Sequence, residues 1–215
     1  MQSIDSCGRW LLPGRCKAAG IKPEPCNNFL FQLFNEKKPS LADNTILQHH
    51  LQRAKSLLYD RCCFDLRELL VEKGSEEYGA CAFRLNGWSV RFRVSKITPA
   101  KTGQFVTTWK RGKDGKTQPF DLSDPIDFLI IASQSGNRYG QFIFPKSVLL
   151  DRGVITGPRK EGKRGIRVYP PWDIVTSKQA KDTQRWQAKY FVSIEPDNEV
   201  NVDLANQLLQ NDDTA

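Results

Sequence analysis

Asn86-Gly87 constrains this chain more than any other pair of residues in it. Both residues accept the positive φ that a two-residue antiparallel turn demands, and the runs on either side, YGACAFRL and WSVRFRVSKI, are rich in strand-forming residues. A hairpin here commits the middle of the chain to a sheet. The segments after it extend that sheet: QFVTTWKR, then DFLIIAS, whose unbroken apolar run predicts a central strand buried on both faces, then YGQFIFPK after the Ser135-Gly136-Asn137 turn.

Helical periods lie on both sides. Asp43 and Asn44 can cap a helix in which Ile46, Leu47, Leu51, Ala54, Leu57 and Leu58 recur on one face. FDLRELLVEKG reads as a second helical piece ending at Gly74. Residues 147–152 predict a short helix, and RVY a strand halted by Pro170-Pro171. Ser177 caps a helix running to about Tyr190, YFVSI is a short strand, and VDLANQLLQN a last helix. Together they predict one mixed α/β (α+β) domain over residues 42–194. An irregular extension over 1–41 precedes it, with FLFQLF as its one apolar stretch, and an acidic helix or tail over 195–215 follows.

No apolar run is long enough to span a bilayer, and the N-terminus lacks the pattern of a secretory leader, so the expected compartment is the cytoplasm, away from membranes. Thiols there stay reduced, which makes the six cysteines free and mostly buried rather than paired. His49 and His50 are adjacent on a helix and point about 100° apart, poorly placed to share a metal. No cofactor is expected.

The formal net charge of +8 is unevenly spread. Residues 84–116 hold nine Lys/Arg against Asp114 alone, and residues 152–167 hold six against Glu161; the last 21 residues hold six acids and no base. Two basic clusters point to a polyanion, nucleic acid first among them. Strand alternation puts Arg91 and Arg93 on one face, opposite Val90, Phe92 and Val94. Three strands each run into a lysine, Lys96, Lys110 and Lys146. Either these converge at one sheet edge or each marks a strand end and reaches for water. Arg91, Arg93, Lys96, Lys101, Lys110, Arg111 and Lys146 are candidate phosphate contacts, with Trp109 to stack and Gln104 or Gln141 to bond a base edge. Lys163, Arg164 and Arg167 form a second patch. Its Gly157-x-x-x-x-Gly162-Lys163 spacing lacks the following hydroxyl of a nucleotide-hydrolysing loop but suits phosphate contact. Trp172 and Trp186 are assigned to fixing the C-terminal helix on the sheet.

EYGACAFRLNG, FRVSKITPAKTGQFVTTWKR, GQFIFPK, GKRGIRVYPPWD and TQRWQAKYF, in that order over about residues 57–192, resemble the MepB family. The resemblance implies a restriction-endonuclease-like core, a central mixed sheet flanked by helices, and nucleic-acid binding; DNA is the expected partner before RNA. Active nucleases of that type carry an acid on one core strand and acid-x-Lys on the next, which hold Mg²⁺. Tyr78 through Lys113 contains no Asp or Glu, and Thr108-Trp109-Lys110 stands where acid-x-Lys is expected. The reading that follows is a binding protein on a nuclease scaffold. One alternative is a Mg²⁺-dependent phosphodiesterase in which Glu76, Glu77 and Asp127 join Lys96 and Lys110. Another is a protein-interaction module whose acidic tail masks its own basic groove.

Overall fold

The computed structural model describes residues 44–112, 114–195 and 200–210. The expectations for residues 1–41, including FLFQLF and three of the cysteines, lie outside them, as do most of the tail's acids. Helix α1 (Asn44–Ala54) runs into one π-helical turn (Lys55–Tyr59) and buries Leu47, Leu51, Ala54 and Leu58. FDLRELLVEKG is not helical. It supplies strand β1 (Leu66–Val71), paired antiparallel with β2 (Cys81–Leu85). Its local helical period loses to that pairing, and the register slips between Arg67 and Leu70, where Glu68 takes φ 54°. A left-handed residue of this kind bulges a strand and suits an exposed edge.

Asn86 and Gly87, both at positive φ, turn β2 into β3 (Trp88–Val94). Strand β3 pairs parallel with β8 (Phe128–Ser135), and β8 pairs antiparallel with β9 (Arg138–Pro145). With β11 (Phe191–Ser193) beyond β9, the order is β1-β2-β3-β8-β9-β11, and the apolar run of DFLIIAS is central, as its composition predicts. The crossover from β3 to β8 is itself β-structure. It comprises β4 (Lys96–Thr98), β5 (Lys101–Thr107), β6 (Trp109–Arg111) and β7 (Thr117–Pro119). Strands β4 and β5 join β10 (Gly165–Val168) in a three-stranded sheet; β6 and β7 form a ribbon.

Helix α2 (Lys146–Asp151) follows β9 directly. Ser177 caps α3 (Lys178–Gln187) by accepting the Ala180 N–H, and α4 (Val202–Gln210) closes the described chain. The large sheet carries α1 against the face of Val90, Phe92 and Val94. On its other face Leu129, Ile131, Phe142 and Phe144 pack with Val106, Ile166 and Val168 of the small sheet. A mixed six-stranded sheet flanked by helices is thus the observed architecture. No described helix is long and apolar enough to cross a membrane.

Candidate functional site

The first basic region is mostly spent on the protein itself. Arg93 is fully buried, on the face shared with Ile131. Its Nη2 lies 2.5 Å from Glu72 Oε2, its Nη1 donates to the Phe92 carbonyl at 2.8 Å, and the Phe120 ring lies 5.7 Å away. Arg91 reaches the other oxygen of Glu72 at 3.1 Å. Arg93 is therefore an interior cation, not a surface contact.

The three lysines do not meet at one place. Lys110 pairs with Asp124, and Lys146 Nζ donates to the Asp124 carbonyl at 2.8 Å, so these two converge. Lys96 binds Glu77 at 2.6 Å and lies 4.6 Å over the Tyr78 ring. Arg111 packs 5.5 Å from the Trp109 ring and donates to the Gly115 carbonyl. Lys101 remains exposed.

Gln104 and Gln141 are interior groups. Gln104 accepts from Ser95 Oγ at 2.7 Å and donates to the Gln134 carbonyl, while Gln141 accepts from the Tyr59 hydroxyl at 2.9 Å. Both glutamines stand where their strands are buried, Gln141 in a strand buried on both faces, against the expectation that they reach a base edge.

The carboxylates proposed for metal chemistry are engaged locally. Glu76 accepts the Gly74 N–H at 2.7 Å, which is the main reason its carboxyl sits below the usual range. Asp127 accepts the Ser89 N–H at 2.7 Å. Glu77 has Lys96. Among the described residues no group of three or more His, Cys, Asp or Glu could hold a metal ion. Thr108-Trp109-Lys110 lies outside the six-stranded sheet, at the junction of β5 and β6, where buried Thr108 donates its hydroxyl to the Lys163 carbonyl at 2.7 Å.

The second basic region is arranged differently. A cleft of about 370 Å³ opens between β10 and α3, lined by Arg152, Lys163, Arg167, Tyr169, Gln179, Thr183 and Trp186. A neighbouring hollow of about 410 Å³ shares Arg152 and adds Arg159 and Lys160; a third joins Lys178 to Arg152 and Trp186. Among the described residues, Arg159, Lys160, Lys163, Arg167 and Lys178 form no ion pair with a carboxylate; Arg152 has Asp151 at 3.4 Å. Arg167 is held by neutral acceptors, the Gly103 carbonyl at 3.0 Å and Thr98 Oγ1 at 2.7 Å, so its direction is fixed while its charge is not cancelled. Gln187 ties the walls together, accepting the Tyr169 N–H and donating to the Arg167 carbonyl. Arg164 departs from the expected patch: it donates to the Thr117 carbonyl, pairs with Glu161 at 3.4 Å, and does not line the cleft.

The MepB-like family profile matches residues 72–193. The chain belongs to the MepB-like family. The matched span ends within one residue of the motif-based expectation, begins later than it, and contains every cleft residue. A crystal structure of MepB aligns with a TM-score of 0.59 at 33% identity, covering 62% of this chain and 89% of that one. Comparison with curated proteins finds no match.

Within this MepB-like domain, the sequence points to Lys163 and Arg167 individually, to Arg152, Arg159 and Lys160 only as members of the 152–167 charge run, and to Trp186 only as a fixing residue; it does not single out Lys178, Gln179 or Thr183. One further signal was available, since Gln179, Thr183 and Trp186 stand at i, i+4 and i+7 on one helix face. Trp186 does pack on Phe144, at 5.4 Å between ring centroids, as a fixing residue would, and it also lines the cleft.

Proposed function

We propose that this MepB-like protein binds nucleic acid through the Arg152 cleft, on a nuclease-like scaffold that lacks a complete metal-binding motif. DNA is the partner to test first, with RNA as the comparison. The observation that carries the reading is the cleft and its adjoining hollows, where Arg159, Lys160, Lys163, Arg167 and Lys178 form no ion pair with a carboxylate among the described residues and only Arg152 has one, Asp151. Such cations gain most from a phosphate backbone, because binding releases the counterions that both surfaces would otherwise hold. The scaffold part of the reading rests on the β1-β2-β3 meander with β8 laid parallel beside β3. In it, Ser89, Arg91 and Arg93 occupy the inner face that a nuclease would furnish with carboxylates.

If four or five phosphates are neutralised, log affinity should fall with log salt at a slope of about −4. Anisotropy of labelled duplex and single strands across a salt series reads that slope, with the strands recovered intact from Mg²⁺. A flat salt response contradicts the proposal.

One arrangement favours a second reading. Asp121 and Asp124 stand with Lys110 and Lys146. Bonds from Ser123, and then the two lysines, hold the Asp121 carboxyl below the usual range. Carboxylates beside lysines suit phosphodiester chemistry. Cut strands in Mg²⁺ that stay whole with Asp124→Asn would select it.

A further inference from the structure

The cleft has a feature that plain attraction to a polyanion does not require: an indole set among its cations. The ring of Trp186 packs on Phe144 at 5.4 Å between centroids, and the Arg152 guanidinium, which lines the same cleft, lies 5.2 Å from the indole centroid. Arg152 is exposed, and the one carboxylate paired with it among the described residues, Asp151, is also exposed at 3.4 Å, so little holds the guanidinium in place. An exposed cation–π contact is weaker than the stacking of a base on an indole. A base can therefore displace Arg152 outward, and the guanidinium plane can then cover the base's second face.

The rest of the cleft fits one nucleotide around that stack. Lys163 and the fixed Arg167 supply positive charge along the β10 wall, where a phosphate would lie. Gln179 and Thr183 stand on the same face of α3 as Trp186. The Thr183 hydroxyl is committed to the Gln179 carbonyl at 2.8 Å, which leaves the Gln179 carboxamide as the group to meet a base edge. A volume of about 370 Å³ is at the small end for ligand sites and suits a single nucleotide rather than a duplex edge.

We infer that the β10–α3 cleft takes one unstacked nucleotide of a single strand or strand end, its base between Trp186 and Arg152 and its phosphate at Lys163 and Arg167. The inference rests on the nucleic-acid reading above and narrows it: bases in a continuous duplex are stacked on one another and cannot enter, so single strands bind better.

The test uses the full chain, a short single-stranded oligothymidylate, the same sequence as a closed duplex hairpin, and inorganic pyrophosphate as a phosphate-only probe. Tryptophan fluorescence and anisotropy are followed together. Oligothymidylate should quench part of the emission saturably, pyrophosphate should not, and the hairpin should bind more weakly. Trp186→Leu should abolish the quenching and weaken oligothymidylate binding about tenfold or more, as loss of a stacking platform does. Because Trp186 also packs on Phe144, Arg152→Ala serves as a second variant: Arg152 is exposed and its contact with Trp186 is a weak surface one, so the change should weaken oligothymidylate binding several-fold while shifting the melting temperature little. Quenching that survives Trp186→Leu, or equal affinity for strand and hairpin, overturns the inference while leaving salt-dependent binding standing. Absence of binding to all three probes overturns both.

Discussion

Replacing Glu72 with alanine should cost about 3–5 kcal/mol of folding stability, the penalty typical of a buried charge stripped of its partner. The carboxylate bridges two guanidiniums, at 2.5 Å to Arg93 and 3.1 Å to Arg91. Their situations differ. Arg91 keeps 22% of its side chain exposed and can turn toward water, whereas Arg93 has none exposed and is enclosed by the sheet and Phe120. Its remaining bond, to the Phe92 carbonyl, does not neutralise it, and its Nε has no partner among the described residues. For a domain of this size the loss lowers the melting temperature by roughly 10 °C or more.

Two companions separate charge from packing. Glu72→Gln keeps the shape and should still destabilise strongly. Arg93→Met in the Glu72→Ala background should recover most of the loss, since an apolar side chain of similar length leaves nothing uncompensated. A Glu72→Ala protein within 1 kcal/mol of the parent, a limit far below the cost of an orphaned charge, would mean that Arg93 finds water. The variant also bears on chemistry, because a carboxylate held by two guanidiniums is poorly available to a metal.

Gly162→Ala should be the most damaging single methyl in the cleft loop. A Cβ there would lie 2.6 Å from the Thr156 nitrogen and 2.7 Å from both the Ile155 carbon and the Val154 oxygen. All three are backbone atoms of the segment that the loop lies against, so no side chain can swing aside. The bonds from Gly162 N–H to Thr156 Oγ1 and from Lys163 N–H to the Val154 carbonyl, both 2.9 Å, must stretch or break. A cost of about 1–3 kcal/mol is expected, with polyanion affinity falling as Lys163 is displaced. Gly157→Ala is the matched control. Its Cβ would meet only Leu150 Cδ1 and Cγ, at 2.5 and 3.7 Å, the flexible end of a side chain that can move. Denaturant unfolding and anisotropy on both variants check the contrast. Equal losses at the two positions would mean that the loop is not seated on residues 154–156 as described.

How far the sequence could be read depended on how local each determinant was. The Asn86-Gly87 turn, the central apolar strand and the Ser177 cap depend on neighbouring residues and were legible. FDLRELLVEKG was not, because its periodicity fits a helix and only pairing with Cys81–Leu85 makes it an edge strand. The same limit governs the site. Alternation correctly gave Arg91 and Arg93 one face, but it could not say that the face is interior at Arg93 or that Glu72 waits there. It counted Gln104 and Gln141 as available when both are folded inward. Charge density pointed at 84–116, the more strongly basic run, yet much of that charge is matched by Glu72, Glu77 and Asp124 brought from elsewhere in the chain. The weaker run at 152–167 keeps four of its six cations, Arg159, Lys160, Lys163 and Arg167, without an ion pair among the described residues, and its aromatic partner Trp186 comes from a helix that begins only at Lys178.

The claim that the cleft, rather than overall positive charge, holds the polyanion is tested most directly by two triple reversals with the same change in net charge. One changes Arg159, Lys160 and Lys163 to Glu in the cleft. The other changes exposed Arg61, Lys73 and Lys116 to Glu, none of which lines it. Measured by anisotropy on one labelled strand at fixed salt, the cleft variant should lose about a hundredfold or more in affinity and show a shallower salt slope. The control should stay within a few-fold of the parent and keep its slope. Equal losses in the two variants would contradict the account, because binding would then follow net charge alone.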